Sequence, residues 1–173
     1  MKFVFLFLFY LFFYCRNSHP VLKEQTREPF ANVRIYQFER IEYKGFGQKK
    51  WKLNAKEAYL YQDEKEAKDQ KIVLYEFEFL QFLPHPAEAR SERAVLDYTK
   101  NYLLIEGNAF YRDHEIQIEG SFLEYHFEKE HLESNQEVKI KRKNLETICQ
   151  GGMLYDKKQE LQICRKPRGF YLQ

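Results

Sequence analysis

Apolar side chains in this chain recur at every second position, in short runs separated by charged turns. That period fits a strand with one buried face and does not fit a helix. Tyr75, Phe77 and Phe79 alternate with Glu76 and Glu78, and Ile116 and Ile118 alternate with Glu115, Gln117 and Glu119. The same alternation marks Val33/Ile35, Trp51/Leu53/Ala55, Ala94/Leu96/Tyr98, Leu103/Ile105, Tyr125/Phe127, Val138/Ile140, Met153/Tyr155 and Leu161/Ile163. After residue 30 no useful length shows helical spacing; Gln62 to Lys71 is rich in Glu, Lys and Ala but has no apolar face, so it reads as a link between strands. Sixteen Phe and thirteen Tyr strengthen the preference for strand. The expected fold is all-β.

Several runs change phase midway, most plainly across Gly120-Ser121. Ile116, Ile118 and Phe122 share one parity and Leu123, Tyr125 and Phe127 the other, with Gly120-Ser121 between them. A bulge or sharp bend does this, and strands that bend and switch faces belong to a single antiparallel sheet folded over on itself, one strand serving two walls. A weak repeat agrees: residues 92–98 followed by 103–109 are similar to 121–125 followed by 132–138, and to 152–156 followed by 161–163. Such a repeated hairpin unit stacks strands in series.

Behind Met1-Lys2, Phe3 to Tyr14 has no polar group except two tyrosine hydroxyls. As a helix these residues rise about 18 Å against a hydrocarbon core of about 30 Å. Three readings follow: a retained signal anchor, lipidation of Cys15, or plain secretion. Tyr14 is a poor residue before a lipidated cysteine, and the small residues a signal peptidase needs are missing. All three place the bulk of the chain outside the cytoplasm. The expected division is an anchor or lipoprotein signal over 1–15, a polar tether with Pro20 and Pro29 over 16–32, and a folded domain over 33–173.

The charge pattern excludes other classes. Net charge is +2, with 28 Lys and Arg interspersed among 26 Asp and Glu, so no surface tracks a nucleic-acid backbone. No glycine-rich phosphate loop or Gly-x-Ser-x-Gly elbow is present, and neither a catalytic residue nor a cofactor is expected. His126 and His131 are the histidines nearest in sequence, but their opposite parity would send them to opposite faces of a continuous strand, so no metal site is expected. Cys149 and Cys164 form no metal motif. A turn centred on Lys157-Lys158 would set Cys164 opposite Gly151, so a disulfide needs a bulge at Gly151-Gly152; the alternative is two separate buried thiols.

The succession Trp51-Lys52-Leu53-Asn54-Ala55-Lys56-Glu57-Ala58, Ala94-Val95-Leu96-Asp97-Tyr98, Ile105-Glu106-Gly107-Asn108-Ala109, Val138-Lys139-Ile140 and Gly151-Gly152-Met153-Leu154-Tyr155-Asp156 resembles the LptC family. These are bitopic inner-membrane proteins of the lipopolysaccharide export bridge. The resemblance implies a β-jellyroll folded like a taco and open at both ends, with lipid A acyl chains in its apolar interior. It also implies an N-terminal anchor in the inner membrane, the main domain in the periplasm, and no catalytic step. Implied partners are lipopolysaccharide, an LptA-like periplasmic protein and the periplasmic domains of the ABC transporter subunits LptF and LptG.

Groove candidates are Phe77, Phe79, Leu96, Tyr98, Leu103, Ile105, Ile116, Ile118, Tyr125, Phe127, Val138 and Ile140, which equally suit an ordinary sandwich core. Burying an acyl chain of ~12 carbons is worth roughly 10 kcal/mol, against ~1 kcal/mol at most for an exposed charge. Lys139, Lys141, Arg142 and Lys143 are thus first the solvated face of a strand. Leu161, Gln162, Ile163 and Cys164 are the expected partner edge, followed by the basic, proline-containing Arg165-Lys166-Pro167-Arg168. The competing reading is a periplasmic or surface lipoprotein with a protein-binding β-sandwich. An outer-membrane barrel fits poorly, because outward positions carry Glu, Lys and Arg.

Overall fold

The computed structural model describes residues 27–62, 69–159 and 161–171. The apolar segment from Phe3 to Tyr14, Cys15 and most of the tether lie outside them. Among the described residues no helix is long and apolar enough to cross a membrane.

Alternation produces twelve strands: β1 (Val33–Lys44), β2 (Gln48–Gln62), β3 (Asp69–Gln81), β4 (Ala87–Asp97), β5 (Tyr102–Asp113), β6 (Gln117–His126), β7 (His131–Ser134), β8 (Val138–Arg142), β9 (Leu145–Cys149), β10 (Met153–Asp156), β11 (Leu161–Cys164) and β12 (Pro167–Tyr171). The first six pair antiparallel in chain order. The sheet then divides. Glu124–His126 of β6 pair with β7, which leads to β10 and β11, whereas Gln117–Gly120 of β6 pair with β8, which leads to β9 and β12. Since β7–β8, β9–β10 and β11–β12 are successive halves of bent strands, the sheet is a serial meander.

All the long strands break along one line. It runs through Gln37, Lys56, Glu76, Glu92, Gly107-Asn108 and Gly120-Ser121, then between β7 and β8, through Gly151-Gly152, and through Arg165-Lys166. Pairing skips across it: Tyr36 faces Glu57 and Phe38 faces Ala55, with no pair between. Gln37, Glu76, Asn108 and Lys166 hold positive φ there, and the other four such non-glycine residues lie in turns. At Gly152, φ is +88° and an added Cβ would lie 2.1 Å from the Ser134 carbonyl oxygen, so only glycine fits. Across this crease the inward parity changes, from Leu53/Ala55 to Ala58/Leu60 on β2 and from Ala87/Ala89 to Ala94/Leu96 on β4.

Inward residues from both sides of the crease join one core, which requires the sheet to fold along it. The first wall holds β7, β10, β11 and the adjoining halves of β1–β6; the second holds β8, β9, β12 and the other halves. Each fully buried Leu or Ile contributes about 1.5–3 kcal/mol.

A smaller cluster lies on the convex face of the first wall, where Tyr59, Val73 and Val95 pack with Ala31, Tyr61, Tyr75 and Leu104. Tyr75 therefore does not share a face with Phe77 and Phe79: Glu76, at φ 51°, turns the strand over between them. Residues 27–32 lie against this face. Glu28 accepts hydrogen bonds from the Tyr61 and Tyr75 hydroxyls and lies 3.5 Å from the Arg93 guanidinium. Burial pushes the Glu28 carboxyl up, but these donors outweigh it and hold it below the ordinary carboxylate range.

The C-terminal strands differ from expectation in two ways. Leu161 and Ile163 face outward, each 45% exposed, and Gln162 and Cys164 face inward opposite Tyr155 and Met153. The pairing thus sets Cys164 opposite Met153, not Gly151. A bulge does form at Gly151-Gly152, where Gly151 N–H donates to the Arg165 carbonyl and Arg165 N–H to the Gly152 carbonyl, both at 3.0 Å. Cys149 and Cys164 are bonded, with Cα atoms 5.2 Å apart, and the bridge joins β9 of the second wall to β11 of the first.

Candidate functional site

Ten of the twelve groove candidates lie in the single interior cluster: Phe77, Leu103, Ile105, Ile116, Ile118, Val138 and Ile140 are buried, and Phe79, Leu96 and Tyr125 pack against them. Tyr98 and Phe127 do not belong to it. They sit just past the ends of β4 and β6 and are 36% and 39% exposed. Trp51, Phe38 and Ile35, absent from the candidates, pack against the interior from β2 and β1. A tunnel wide enough for an acyl chain would expose its lining to water, yet most interior residues are almost wholly covered; the two walls meet side chain to side chain.

Polar contacts close the mouth opposite the crease. On one side Tyr155 of the first wall donates to Asp113 of the second at 3.3 Å, and Tyr111 donates to the same oxygen at 2.9 Å. Burial, then the Asp113 charge, pushes both tyrosine hydroxyls well above their ordinary range. Lys157 stands 5.7 Å from the Tyr111 ring; burial pulls its ammonium down, opposed by Asp113 and Glu130. On the β1 side, Arg40 of the second wall donates to the Tyr98 hydroxyl of the first at 2.5 Å and lies over the Trp51 ring. A surface pocket of about 340 Å3 opens beside Asp113, lined by Leu80, Phe82, Pro86, Arg112 and His114 among others.

The basic residues of β8 are engaged elsewhere. Lys139 pairs with Glu146 at 2.7 Å and Arg142 with Glu115 at 2.7 Å, while Lys141 lies 3.9 Å from Glu119. Lys139 and Lys141 alternate with the inward Val138 and Ile140, which puts them on the outer face. Among the described residues β11 pairs with β10 alone, so Leu161–Cys164 ends this branch of the sheet, and β1 forms the opposite rim. Cys15, the candidate for lipidation, lies outside the described residues.

The histidine pair needs correction. His126 and His131 are not on one continuous strand; they face each other across the β6–β7 hairpin and so lie on the same face.

The family model described as Lipopolysaccharide-assembly, LptC-related, matches residues 2–172. Among solved structures, the chain is similar to LptH from Pseudomonas aeruginosa, described as the LptA homologous periplasmic component of the conserved lipopolysaccharide transport device. The TM-score is 0.56 and the identity 15%, covering 79% of this chain and 95% of that one; at this identity the likeness shows the fold. No curated protein matches the chain.

Proposed function

Because the chain belongs to the LptC family of non-enzymatic lipopolysaccharide transport components, we propose that its folded sheet takes lipopolysaccharide acyl chains between its two walls. The lipid comes from an inner-membrane ABC transporter through the LptF and LptG periplasmic domains and passes to an LptA-like neighbour at the β11 edge. Residues 1–15 anchor the chain in the inner membrane, residues 16–32 tether it, and the folded domain from residue 33 stands in the periplasm.

The observation that carries this reading is one apolar interior built from both halves of every long strand, shut at the mouth by a few polar contacts. Lipid enters by parting the walls and replaces protein–protein apolar contact with protein–acyl contact. Because one apolar contact replaces another, the hydrogen bonds at the mouth, about 1 kcal/mol each, are the main opposition to entry. A filled interior also suits the lipoprotein reading, but family membership favours transport.

Photo-crosslinkers at Phe79, Leu103, Ile118 and Tyr125 should label lipopolysaccharide, and those at Glu78 and Glu119 should not. Equal labelling of the two sets would overturn the proposal.

A further inference from the structure

On the convex face of β6 and β7, four metal-ligating side chains meet. His126 faces His131 and Glu124 faces Glu133 in the strand pairing. Their neighbours Leu123, Tyr125 and Leu132 turn toward the core, so all four point outward. His126 Nε2 lies 3.0 Å from Glu124 Oε1 and 2.9 Å from Glu133 Oε1. The His126 and His131 ring centroids are 4.7 Å apart, and ligand atoms of His126, His131 and Glu133 all come within 4.8 Å of one another.

Like charges directly opposite on a sheet repel, yet here two carboxylates converge on a single imidazole nitrogen. A divalent cation at that point would neutralise both. We propose that Glu124, His126, His131 and Glu133 bind a divalent transition-metal ion of the zinc class.

Zinc bonds of about 2.0–2.2 Å to nitrogen and oxygen need ligand atoms some 3.3–3.5 Å apart in a tetrahedron. The present spacings, 2.9 and 3.0 Å from His126 Nε2 and no more than 4.8 Å among His126, His131 and Glu133, lie around this separation. Two imidazoles with two carboxylates suit zinc, copper or nickel, and are a poor set for calcium or magnesium, which take oxygen ligands. Asp156, opposite His131 on β10, has an oxygen engaged by the Lys158 and Gln159 amides and is not needed as a ligand. The bound ion would tie β6 to β7 at the hairpin end of the first wall.

The test is calorimetric titration of zinc chloride into the full chain in detergent, purified through a histidine-free tag and stripped with EDTA. The expected result is one equivalent bound, weakened about tenfold or more in His126→Ala and in His131→Ala. The His85→Ala/His114→Ala double variant, which removes the stacked pair of rings 5.5 Å apart, should bind like the parent. Circular dichroism checks the fold, and Glu133→Gln should also weaken binding should an alanine variant unfold. Absence of binding, binding unchanged in the His126 and His131 variants, or loss confined to the His85/His114 variant would overturn the proposal.

Discussion

Asp113 and Tyr155 stand on opposite walls of the folded sheet, and the Tyr155 hydroxyl donates to the Asp113 carboxylate at 3.3 Å. The other Asp113 oxygen accepts the amides of Glu115 and Ile116, so one side chain serves both the β5–β6 turn and the closure of the mouth. Tyr155→Phe should cost about 1 kcal/mol in urea unfolding and speed lipid crosslinking at Ile118. Asp113→Ala should cost more, about 1–3 kcal/mol, because the buried Tyr111 hydroxyl loses its acceptor. Slower crosslinking in Tyr155→Phe would contradict the role of this contact in closure.

The Cys149–Cys164 bridge closes a segment of sequence separation 15 and joins the two branches of the divided sheet. Reduction, or Cys149→Ser with Cys164→Ser, should lower unfolding free energy by about 3 kcal/mol. Urea unfolding with and without dithiothreitol measures this.

Glu28 gives the domain an acid-sensitive contact. Its carboxyl is held below its ordinary range in the fold, so the stabilisation is full above that range and is lost as pH falls through the depressed value. Glu28→Gln should cost about 2 kcal/mol at neutral pH and little at strongly acidic pH. Equal losses at both pH values in denaturant titrations would contradict the ionised role.

Gly152→Ala should destabilise the domain by about 3 kcal/mol or more, since positive φ and the Ser134 carbonyl both oppose a Cβ. Gly45, with nothing within 4 Å of an added Cβ, is the comparison, and Gly45→Ala should leave the thermal midpoint nearly unchanged.

Arg165 donates to the Gly152 carbonyl, and alternation along the β10–β11 ladder then turns the Gln162 N–H away from β10, toward the free edge. Gln162→Pro should leave the domain folded and reduce co-purification with an LptA-like partner. Undiminished capture would shift the contact to the β1 rim.

Where alternation was unbroken, the fold was legible: Ile118 inward and Glu119 outward follow from period two. The crease was legible at Gly120-Ser121, because glycine and a visible phase change coincide there. It was hidden at Gln37 and Glu76, where non-glycine residues adopt positive φ and the run from Tyr75 to Phe79 looks continuous. Parity holds only within one strand, and the 127–130 turn reverses the chain between His126 and His131, which brings them to one face. Leu161 and Ile163 face outward against the alternation for a different reason: on an edge strand both faces can carry apolar residues, so the pattern fixes the period without the phase.

The Glu28 clasp also decides how the domain answers a mechanical pull from its N-terminal side. A force applied directly to β1 would open its ladder with β2 from one end, breaking hydrogen bonds one after another. Glu28 instead grips Tyr61 on β2, Tyr75 on β3 and Arg93 on β4. A pull from the chain before Glu28 therefore loads these contacts to three strands before it reaches the β1 ladder.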